Sequence, residues 1–351
     1  QAEIWLWPSN VDNGVADMLL ARFPKLRILR GAADLAQAFA ECDFLLHGSG
    51  PSLVAEKDLA RWNRETGKPY GVCGITFAAQ SSSATQASPE SVVQQTVAVL
   101  NGARFVFFRD SVSLELARSL GCTSPVMEFG PDGAFGTDLR DDARADTFLR
   151  ASGLENGRFL CCIARLRYTP YWKIKTGSKF DPVKHARNEA MKEHDLGPLR
   201  RGIVEVVQRT EMKVLLCPED ASQMEVNKEL LFDPLPDSVR ERVVWRKDYW
   251  LTAEALSVYR RSAGLFGAEM HSPILCIGNG IPAIVCRWAE QTSKGMMWRD
   301  IGLAEWLFDM DNPEDPDRVV PAVLALAQNP EAAKAKAAKA RDFVLQRQSR
   351  M

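Results

Sequence analysis

The sequence predicts an α/β protein with two Rossmann-like domains whose parallel sheets face a central cleft. Short, continuously apolar segments alternate with helical patterns, which is typical of parallel sheets covered by helices on both faces. The alternation pauses once, in a polar stretch rich in Asp and Arg near residue 140, and then resumes. The 351 residues also suffice for two domains of roughly 150 residues each. We therefore expect an N-terminal domain over 1–140, a C-terminal domain over 141–328 and a C-terminal helix over 329–351.

The predicted strands of the N-terminal half are short apolar runs, and the helices between them carry apolar residues at helical spacing. The strands are 3–7, 26–29, 43–47, 69–76, 104–108 and 125–129. The helices are 15–23, 33–41, 52–66, 89–102 and 112–120. A Ser-rich segment over 80–88 reads as a loop after a strand.

The C-terminal half repeats this alternation. Its predicted strands are 158–164, 213–217, 242–245, 264–267 and 282–286. Its helices are 185–209, 220–231, 252–262 and 273–278. A last helix over 330–348 is rich in Ala and Lys, and we expect it to be solvated.

Composition excludes several classes of protein. The 44 Lys and Arg residues balance 45 Asp and Glu residues, which argues against a nucleic-acid binder that works by bulk charge. No run of about 18 apolar residues predicts a membrane-spanning helix. The eight cysteines show neither C-x-x-C pairs nor zinc spacing, so buried thiols are expected, with one or two disulfides in an exported protein as the alternative. No metal site or cofactor is predicted.

The first residue is Gln1 and not Met. We expect that a segment preceded it, so the compartment stays open between the cytoplasm and export. The oligomeric state is open as well.

The loop after the predicted strand 264–267 carries the strongest candidate catalytic group. Ligands of open parallel sheets bind at the carboxyl ends of strands, and Glu269 and His271 stand there. Ser272 and Pro273 suit an N-cap and the first helical position, which puts His271 beside a helix N-terminus. Because imidazole exchanges protons near neutral pH, we predict that His271 and Glu269 are catalytic and that Ser272 binds substrate. A hydrogen-bonded structural histidine is the alternative.

Cations follow other strands of the same half. Arg165 and Arg167 come directly after the strand 158–164 and share a side of it if the strand continues. Lys294 follows the fifth strand, with an ordinary surface lysine as the alternative. Because these side chains suit phosphate and carboxylate, all three are predicted to bind substrate. The basic and aromatic segment 168–184 reads as a substrate lid or as an ordinary surface loop.

The N-terminal half offers a weaker anion site after the strand 43–47. That loop consists of His47, Gly48, Ser49 and Gly50. Glycines let the backbone approach a ligand, and a helix begins behind them. Because the loop matches neither a Walker loop nor G-x-G-x-x-G, a tight strand–helix turn without a ligand is an equally good interpretation. Arg109 completes the predicted binding residues, whereas Asp110 and Asp132 read as structural.

At these loops the sequence resembles the polysaccharide pyruvyl transferase family. The matching segments are 10–14, 47–50, 108–111, 131–132, 270–271 and 280–282, followed by Lys294. The resemblance implies a fold like that of the glycosyltransferase-B enzymes. It also implies an activity that moves the enolpyruvyl group of phosphoenolpyruvate onto two hydroxyls of a sugar, giving a cyclic ketal and phosphate.

The resemblance further implies roles for individual residues. His271 would be the acid and base. Lys294 would clamp the phosphate and carboxylate of the donor, together with Arg165 and Arg167, which are selected by their place after the strand 158–164 and not by a family motif. The family usually carries Arg two residues before this histidine, where Glu269 stands here, and a carboxylate repels an anionic donor.

Pyruvyl transfer to a glycan is therefore the first hypothesis, with a glycan acceptor and a small anionic donor as partners. A glycosyltransferase, an enzyme that cleaves a ketal or a glycan, and a non-catalytic glycan-binding protein are the alternatives.

Overall fold

The computed structural model describes residues 2–78 and 89–351, and the chain forms two compact units. The first comprises the residues up to Gly133 together with Met351, and the second comprises residues 134–350. Throughout the part of the chain that is described, no helix combines the length and hydropathy needed to cross a bilayer. All eight cysteines lie in described residues and are free thiols.

The polar stretch near residue 140 belongs to the second unit. The backbone N–H of Asp141 donates to the carbonyl oxygen of Ala253 at 3.1 Å and to the hydroxyl of Ser257 at 3.0 Å. These bonds explain why the chain divides at Gly133, earlier than the boundary expected at residue 140. The stretch continues into a helix that the hydrophobic pattern did not predict, because its sequence is mostly Asp, Arg and Ala.

Within its described residues, the first unit contains six strands and five helices. In chain order the strands are β1 (Trp5–Leu6), β2 (Arg27–Ile28), β3 (Leu45–His47), β4 (Tyr70–Ile75), β5 (Val106–Phe108) and β6 (Met127–Phe129). The helices are α1 (Val15–Arg22), α2 (Ala32–Glu41), α3 (Glu56–Thr66), α4 (Pro89–Gly102) and α5 (Ser111–Ser119). Strands β3 to β6 form one parallel sheet in that order, and β1 pairs with β2 separately. The predicted Ser-rich loop lies outside the described residues.

Helix α3 shows how a strongly charged sequence still joins the core. Leu59 and Trp62, three residues apart and thus on one helix face, are 1% and 2% exposed. They pack into the apolar cluster that contains Val72 and Val106 of the sheet. The helix ends at Gly67, whose φ of 64° is the left-handed conformation that glycine adopts without strain.

The second unit is built on a six-stranded parallel sheet. Its strands are β7 (Phe159–Ile163), β8 (Lys213–Leu216), β9 (Val243–Trp245), β10 (Gly264–Gly267), β11 (Ala283–Arg287) and β12 (Leu307–Asp309). Its helices are α6 (Asp142–Ala151), α7 (Tyr171–Ile174), α8 (Pro182–Arg209), α9 (Gln223–Val226), α10 (Asp237–Arg240), α11 (Thr252–Tyr259), α12 (His271–Gly278), α13 (Met297–Asp300), α14 (Asp315–Gln328) and α15 (Pro330–Gln348).

The strand order of this sheet, β12-β11-β10-β7-β8-β9, contains one reversal. The chain runs from β7 outward to β9 and then returns to place β10 on the other side of β7. Such a switch point opens a crevice at the carboxyl ends of the two central strands. The loops after β7 and β10 therefore lie where a ligand is expected.

The last helix differs from its prediction. Ala333, Ala337, Ala340 and Val344 of α15 are at most 7% exposed, so one face packs against the unit and the expectation of a solvated helix is wrong for that face. Small side chains at helical spacing form a smooth stripe, but a pattern of alanines gives little hydrophobic signal in the sequence.

Candidate functional site

Four loops of the second unit bring charged side chains together at the carboxyl ends of the strands. They follow β7, β8, β10 and β11. The side chains that they contribute are Arg165, Glu219, Glu269, His271 and Lys294. Two connected groups result, one around His271 and one around Glu269.

The first group is a chain of three hydrogen-bonded side chains. Nδ1 of His271 lies 2.7 Å from Oε1 of Glu219, and Nε2 lies 2.9 Å from Nζ of Lys294. Because an ammonium group can only donate, Nε2 accepts and the ring proton resides on Nδ1, which donates to Glu219. The imidazole is 57% exposed, whereas Lys294 is 9% exposed. The ring is thus accessible while its partners fix its orientation.

Glu219 is held ionised at the start of helix α12. Its Oε2 accepts the backbone N–H of Ser272 at 2.6 Å. Burial alone raises the pKa of this carboxyl, but His271, Lys294 and the Ser272 N–H outweigh burial and bring the pKa far below its ordinary value. A carboxylate that stays charged keeps the imidazole in one tautomer. The hydroxyl of Ser272 is occupied within the fold, since it lies 3.1 Å from the Tyr259 hydroxyl.

The second group is a buried ion pair. Nη1 of Arg165 lies 3.0 Å from both carboxylate oxygens of Glu269. Gln223 and the Met270 N–H also donate to this carboxylate, at 2.7 Å and 3.1 Å. Burial raises the pKa of Glu269 and the neighbouring Glu219 charge adds to this, while Arg165 opposes both. Arg165 therefore balances the charge of the Glu269 carboxylate.

Arg287 holds the loop that carries Lys294. Its Nη2 donates to the carbonyl oxygens of Trp288 and Thr292, each at 2.8 Å, and its Nη1 pairs with Asp309 of β12. Thr292 has a φ of 59°, a conformation that costs a β-branched residue energy unless its surroundings impose it. The guanidinium group of Arg287, at the end of β11, thus fixes the loop that carries Lys294.

Three donors of this site are close enough to hold a metal ion. The ligand atoms of Glu219, Glu269 and His271 lie within 4.8 Å of one another. Glu219 accepts hydrogen bonds from His271 and the Ser272 N–H, and Lys294 and Arg165 already donate to His271 and Glu269. A cation would have to displace both side chains, so the arrangement suits proton transfer better than metal binding.

The structure directs Arg167 away from this site. Its side chain is fully buried and pairs with Asp195 at 2.8 Å, Glu290 at 3.1 Å and Asp311 at 2.7 Å. Strand β7 ends at Ile163, so the alternation that would align it with Arg165 does not continue. Arg167 joins helix α8 to the segments that follow β11 and β12 instead of facing a substrate.

The predicted anion loop of the first unit is also bonded internally. Nδ1 of His47 lies 2.6 Å from the Gly48 carbonyl oxygen, and Nε2 accepts the Ala55 N–H at 3.3 Å. The Ser49 hydroxyl accepts the Gly133 N–H at 2.6 Å. Gly50 forms a backbone bridge to Ile75. The loop therefore has the geometry of a strand–helix turn.

Arg109 lies buried at the same edge of the first unit. Its Nη1 donates to Asp132 at 2.8 Å and its Nε donates to Thr76 at 2.6 Å. Asp110 accepts the Ser113 N–H and caps helix α5, as predicted. Arg109 and Asp132 thus form a structural pair at the ends of β5 and β6.

Sequence reasoning missed Glu219 and Gln223. Glu219 stands two residues after the predicted strand 213–217, so the carboxyl-end rule that selected His271 also selects it. Gln223 gave no such signal, because an amide in a helix is usually exposed and its role depends on the packing of α9.

Comparisons with known proteins place the chain in a family. The model of the polysaccharide pyruvyl transferase family matches residues 5–290. This chain belongs to the polysaccharide pyruvyl transferase family. The match includes Arg165, Glu219, Glu269 and His271, and Lys294 follows its end. Among curated proteins, none matches the sequence.

Solved structures show the fold of this family member. A putative UDP-N-acetylglucosamine 2-epimerase from Listeria monocytogenes is 14% identical, with 95% of this chain and 84% of that chain covered and a TM-score of 0.52. The MnaA protein of S. aureus, solved with UDP, is 12% identical, with 94% and 84% covered and a TM-score of 0.53. UGT2 of Phytolacca americana is 14% identical, with 99% and 88% covered and a TM-score of 0.52. The predicted α/β class with glycosyltransferase-B-like parallel sheets is confirmed.

Proposed function

We propose that this family member transfers a pyruvyl group from phosphoenolpyruvate to two hydroxyls of a glycan sugar, as a cyclic ketal. The observation that carries the proposal is the chain Glu219–His271–Lys294, with contacts of 2.7 Å and 2.9 Å. It supplies a proton acceptor, a proton donor and a carboxylate that orients the imidazole. Ketal formation needs all three.

The proton transfers balance over these residues. Lys294 gives a proton to C3 of the enol, and as it loses this proton it ceases to donate to Nε2 of His271. Nε2 then takes the proton of the first sugar hydroxyl, whose oxygen bonds to C2. The bond between C2 and the phosphate oxygen breaks, the second hydroxyl closes the ketal, and its proton leaves with phosphate. The proton on His271 returns to Lys294.

The Arg165–Glu269 pair supports binding of an anionic donor. An unpaired carboxylate beside His271 would repel phosphoenolpyruvate. Because Arg165 contacts both oxygens of Glu269 at 3.0 Å, the donor meets a neutral pair. Lys294 is then the cation that approaches the donor phosphate.

The carboxylates do not favour hydrolysis of a glycosidic bond. Glycosidases use two separate carboxyl groups, about 5–5.5 Å apart in retaining enzymes and about 6.5–9.5 Å apart in inverting ones, and one of them must give up a proton. Ligand atoms of Glu219 and Glu269 lie within 4.8 Å, and both carboxylates accept hydrogen bonds from fixed donors. Neither is placed to protonate a leaving group.

A donor screen tests the proposal. The protein is incubated with a panel of glycans and either phosphoenolpyruvate or UDP-sugars, and phosphate, UDP and the ketal methyl group are followed by NMR. We expect phosphate release with ketal formation, lost in His271→Asn and kept in His194→Asn, which changes another exposed histidine. UDP release without phosphate release would instead identify a glycosyltransferase, and the absence of any turnover would favour a glycan-binding protein.

A further inference from the structure

The segment from Tyr168 into the first turn of helix α8 carries exposed side chains that catalysis does not use. We call residues 168–184 the basic–aromatic arm. Tyr171, Phe180 and Val183 of the arm are 49%, 56% and 77% exposed. Six large apolar side chains of the second unit are exposed among the described residues, and these three and Tyr249 are four of them. All four follow the carboxyl end of a strand, β7 or β9.

The arm is also basic. It contains four lysines and one carboxylate, in a chain whose net charge is −1. The lysines are Lys173, Lys175, Lys179 and Lys184. Nζ of Lys175 lies 4.4 Å from the centre of the Tyr171 ring, and Nζ of Lys184 lies 5.8 Å from the centre of the Tyr168 ring, so two ammonium groups of the arm lie over aromatic faces.

The arm has a fixed shape. At its start, the backbone of Tyr168 exchanges two hydrogen bonds with the buried side chain of Asn188, at 2.9 Å and 2.8 Å. At its end, Asp181 caps helix α8. Between these anchors the Phe180 ring packs 5.3 Å from the Trp172 ring. A rigid aromatic surface loses little conformational entropy when it binds.

The arm lies beside the catalytic groups. Nζ of Lys173 contacts Oε2 of Glu225 at 2.9 Å. Glu225 belongs to helix α9, which also carries Gln223, and the Gln223 amide contacts Glu269 at 2.7 Å. The arm is thus connected through helix α9 to the loop that carries Glu269 and His271.

We propose that the basic–aromatic arm binds the acceptor and that the acceptor is an anionic glycan. Exposed aromatic faces stack on sugar rings, and Lys175 and Lys179 pair with carboxylate, sulfate or phosphate groups of the polymer. This inference rests on the proposed function, in which a glycan is the acceptor. A neutral polysaccharide would offer no anionic group to Lys175 and Lys179.

Binding is tested without donor, so that it does not depend on turnover. The probes are oligosaccharides of hyaluronan, alginate and heparin, with dextran as the neutral comparison and single-stranded DNA as a different polyanion. We expect at least one anionic glycan to bind more tightly than dextran and DNA, with Trp fluorescence as the readout. The variant Lys175→Glu/Lys179→Glu should weaken that binding by about tenfold, because two charge-assisted contacts are lost.

Matched controls separate this inference from the proposed function. Lys334→Glu/Lys339→Glu reverses two lysines of α15 and should leave glycan affinity unchanged. Equal affinity for dextran, tighter binding of DNA, no binding of any anionic glycan, or an equal effect of the two double variants would each overturn the inference. If the donor screen shows phosphate release and the binding assay gives any of these results, the inference about the arm is overturned and the proposed function stands. Arm-dependent glycan binding without phosphate release overturns the proposed function alone.

Discussion

Each unit places a histidine at the carboxyl end of a parallel sheet, and the two imidazoles have opposite surroundings. His47 ends β3, is 6% exposed, and bonds to the backbone of Gly48 and Ala55 through its two ring nitrogens. His271 begins α12, is 57% exposed, and bonds to the side chains of Glu219 and Lys294. Position in the fold therefore does not make a histidine reactive. Of the two rings, His271 has side-chain partners that can exchange protons and an exposed face for a substrate, so we propose it as the reactive one.

The first prediction sharpens this comparison through activity. His271→Asn removes the proton acceptor but keeps the site polar, so we expect turnover to fall about 10²–10⁴-fold, the usual contribution of a general base. His47→Asn should leave turnover within about threefold, because its ring bonds only backbone groups. Steady-state phosphate release measures both variants. Equal losses of turnover in the two variants would contradict the distinction.

The second prediction concerns the buried ion pair of the second unit. Arg165→Met leaves Glu269 charged and buried, so the free energy of unfolding should fall by about 3–5 kcal/mol. The double variant Arg165→Met/Glu269→Met removes both charges and should recover most of this loss. Urea denaturation followed by circular dichroism measures both. A double variant no more stable than Arg165→Met would show that the pair is not the cause.

The sequence predicts the positions of most of the charged residues of this site, and there is a physical reason why it does not predict their contacts. Strand ends fixed the positions of Glu269, His271 and Lys294, because apolar runs mark strands and ligands bind where parallel strands end. The predicted direction of the Arg167 side chain differs from the observed one, because that direction depends on how the backbone turns after Ile163. The partners of each charge, such as Glu219 for His271, depend on loops more than 50 residues apart in sequence.

The same reasoning explains the elements that were missed. Strand β12 has three residues and ends in Asp309, so it shows no apolar run. Helix α14 contains Pro321 in its interior, which indicates an interruption in a sequence read alone. Strand β12 pairs with β11 and helix α14 packs against α8, and a local pattern does not contain that information.

The third prediction uses the acid stability of the second unit. The folded state lowers the pKa of Glu219, whose ordinary value is 4.5. The stabilisation is therefore complete above pH 4.5 and is lost as the pH falls, because the unfolded chain takes up a proton that the folded chain does not. Glu219→Gln should cost about 1.5–3 kcal/mol at pH 7, and the difference from wild type should shrink below about pH 4.5. A difference that stays constant to pH 3 would contradict it.

The fourth prediction tests how Lys294 is positioned. Arg287→Lys keeps a positive charge beside Asp309 but removes the fork that bonds the carbonyl oxygens of Trp288 and Thr292. We expect turnover to fall about tenfold, because catalytic groups tolerate little displacement. The pH profile should shift as well, since the Lys294–His271 contact loosens. Arg318→Lys, on the exposed surface of α14, is the control, and an unchanged pH profile in Arg287→Lys would argue for a purely structural role.

The last and smallest effect belongs to the first unit. Burial lowers the pKa of His47 from its ordinary value of 6.5, and its backbone hydrogen bond to Gly48 only partly opposes this. Below pH 6.5 the unfolded chain is protonated at this position while the folded chain is not, so stability falls in mild acid. His47→Gln does not titrate; it should cost about 1 kcal/mol at pH 8, and this difference should narrow below pH 6.5. The Glu219 effect begins only below pH 4.5, so denaturation at pH 8, 5.5 and 3.5 distinguishes it from the His47 effect. A His47→Gln stability difference that narrows only below pH 4.5 would refute the assignment of the mild-acid effect to His47.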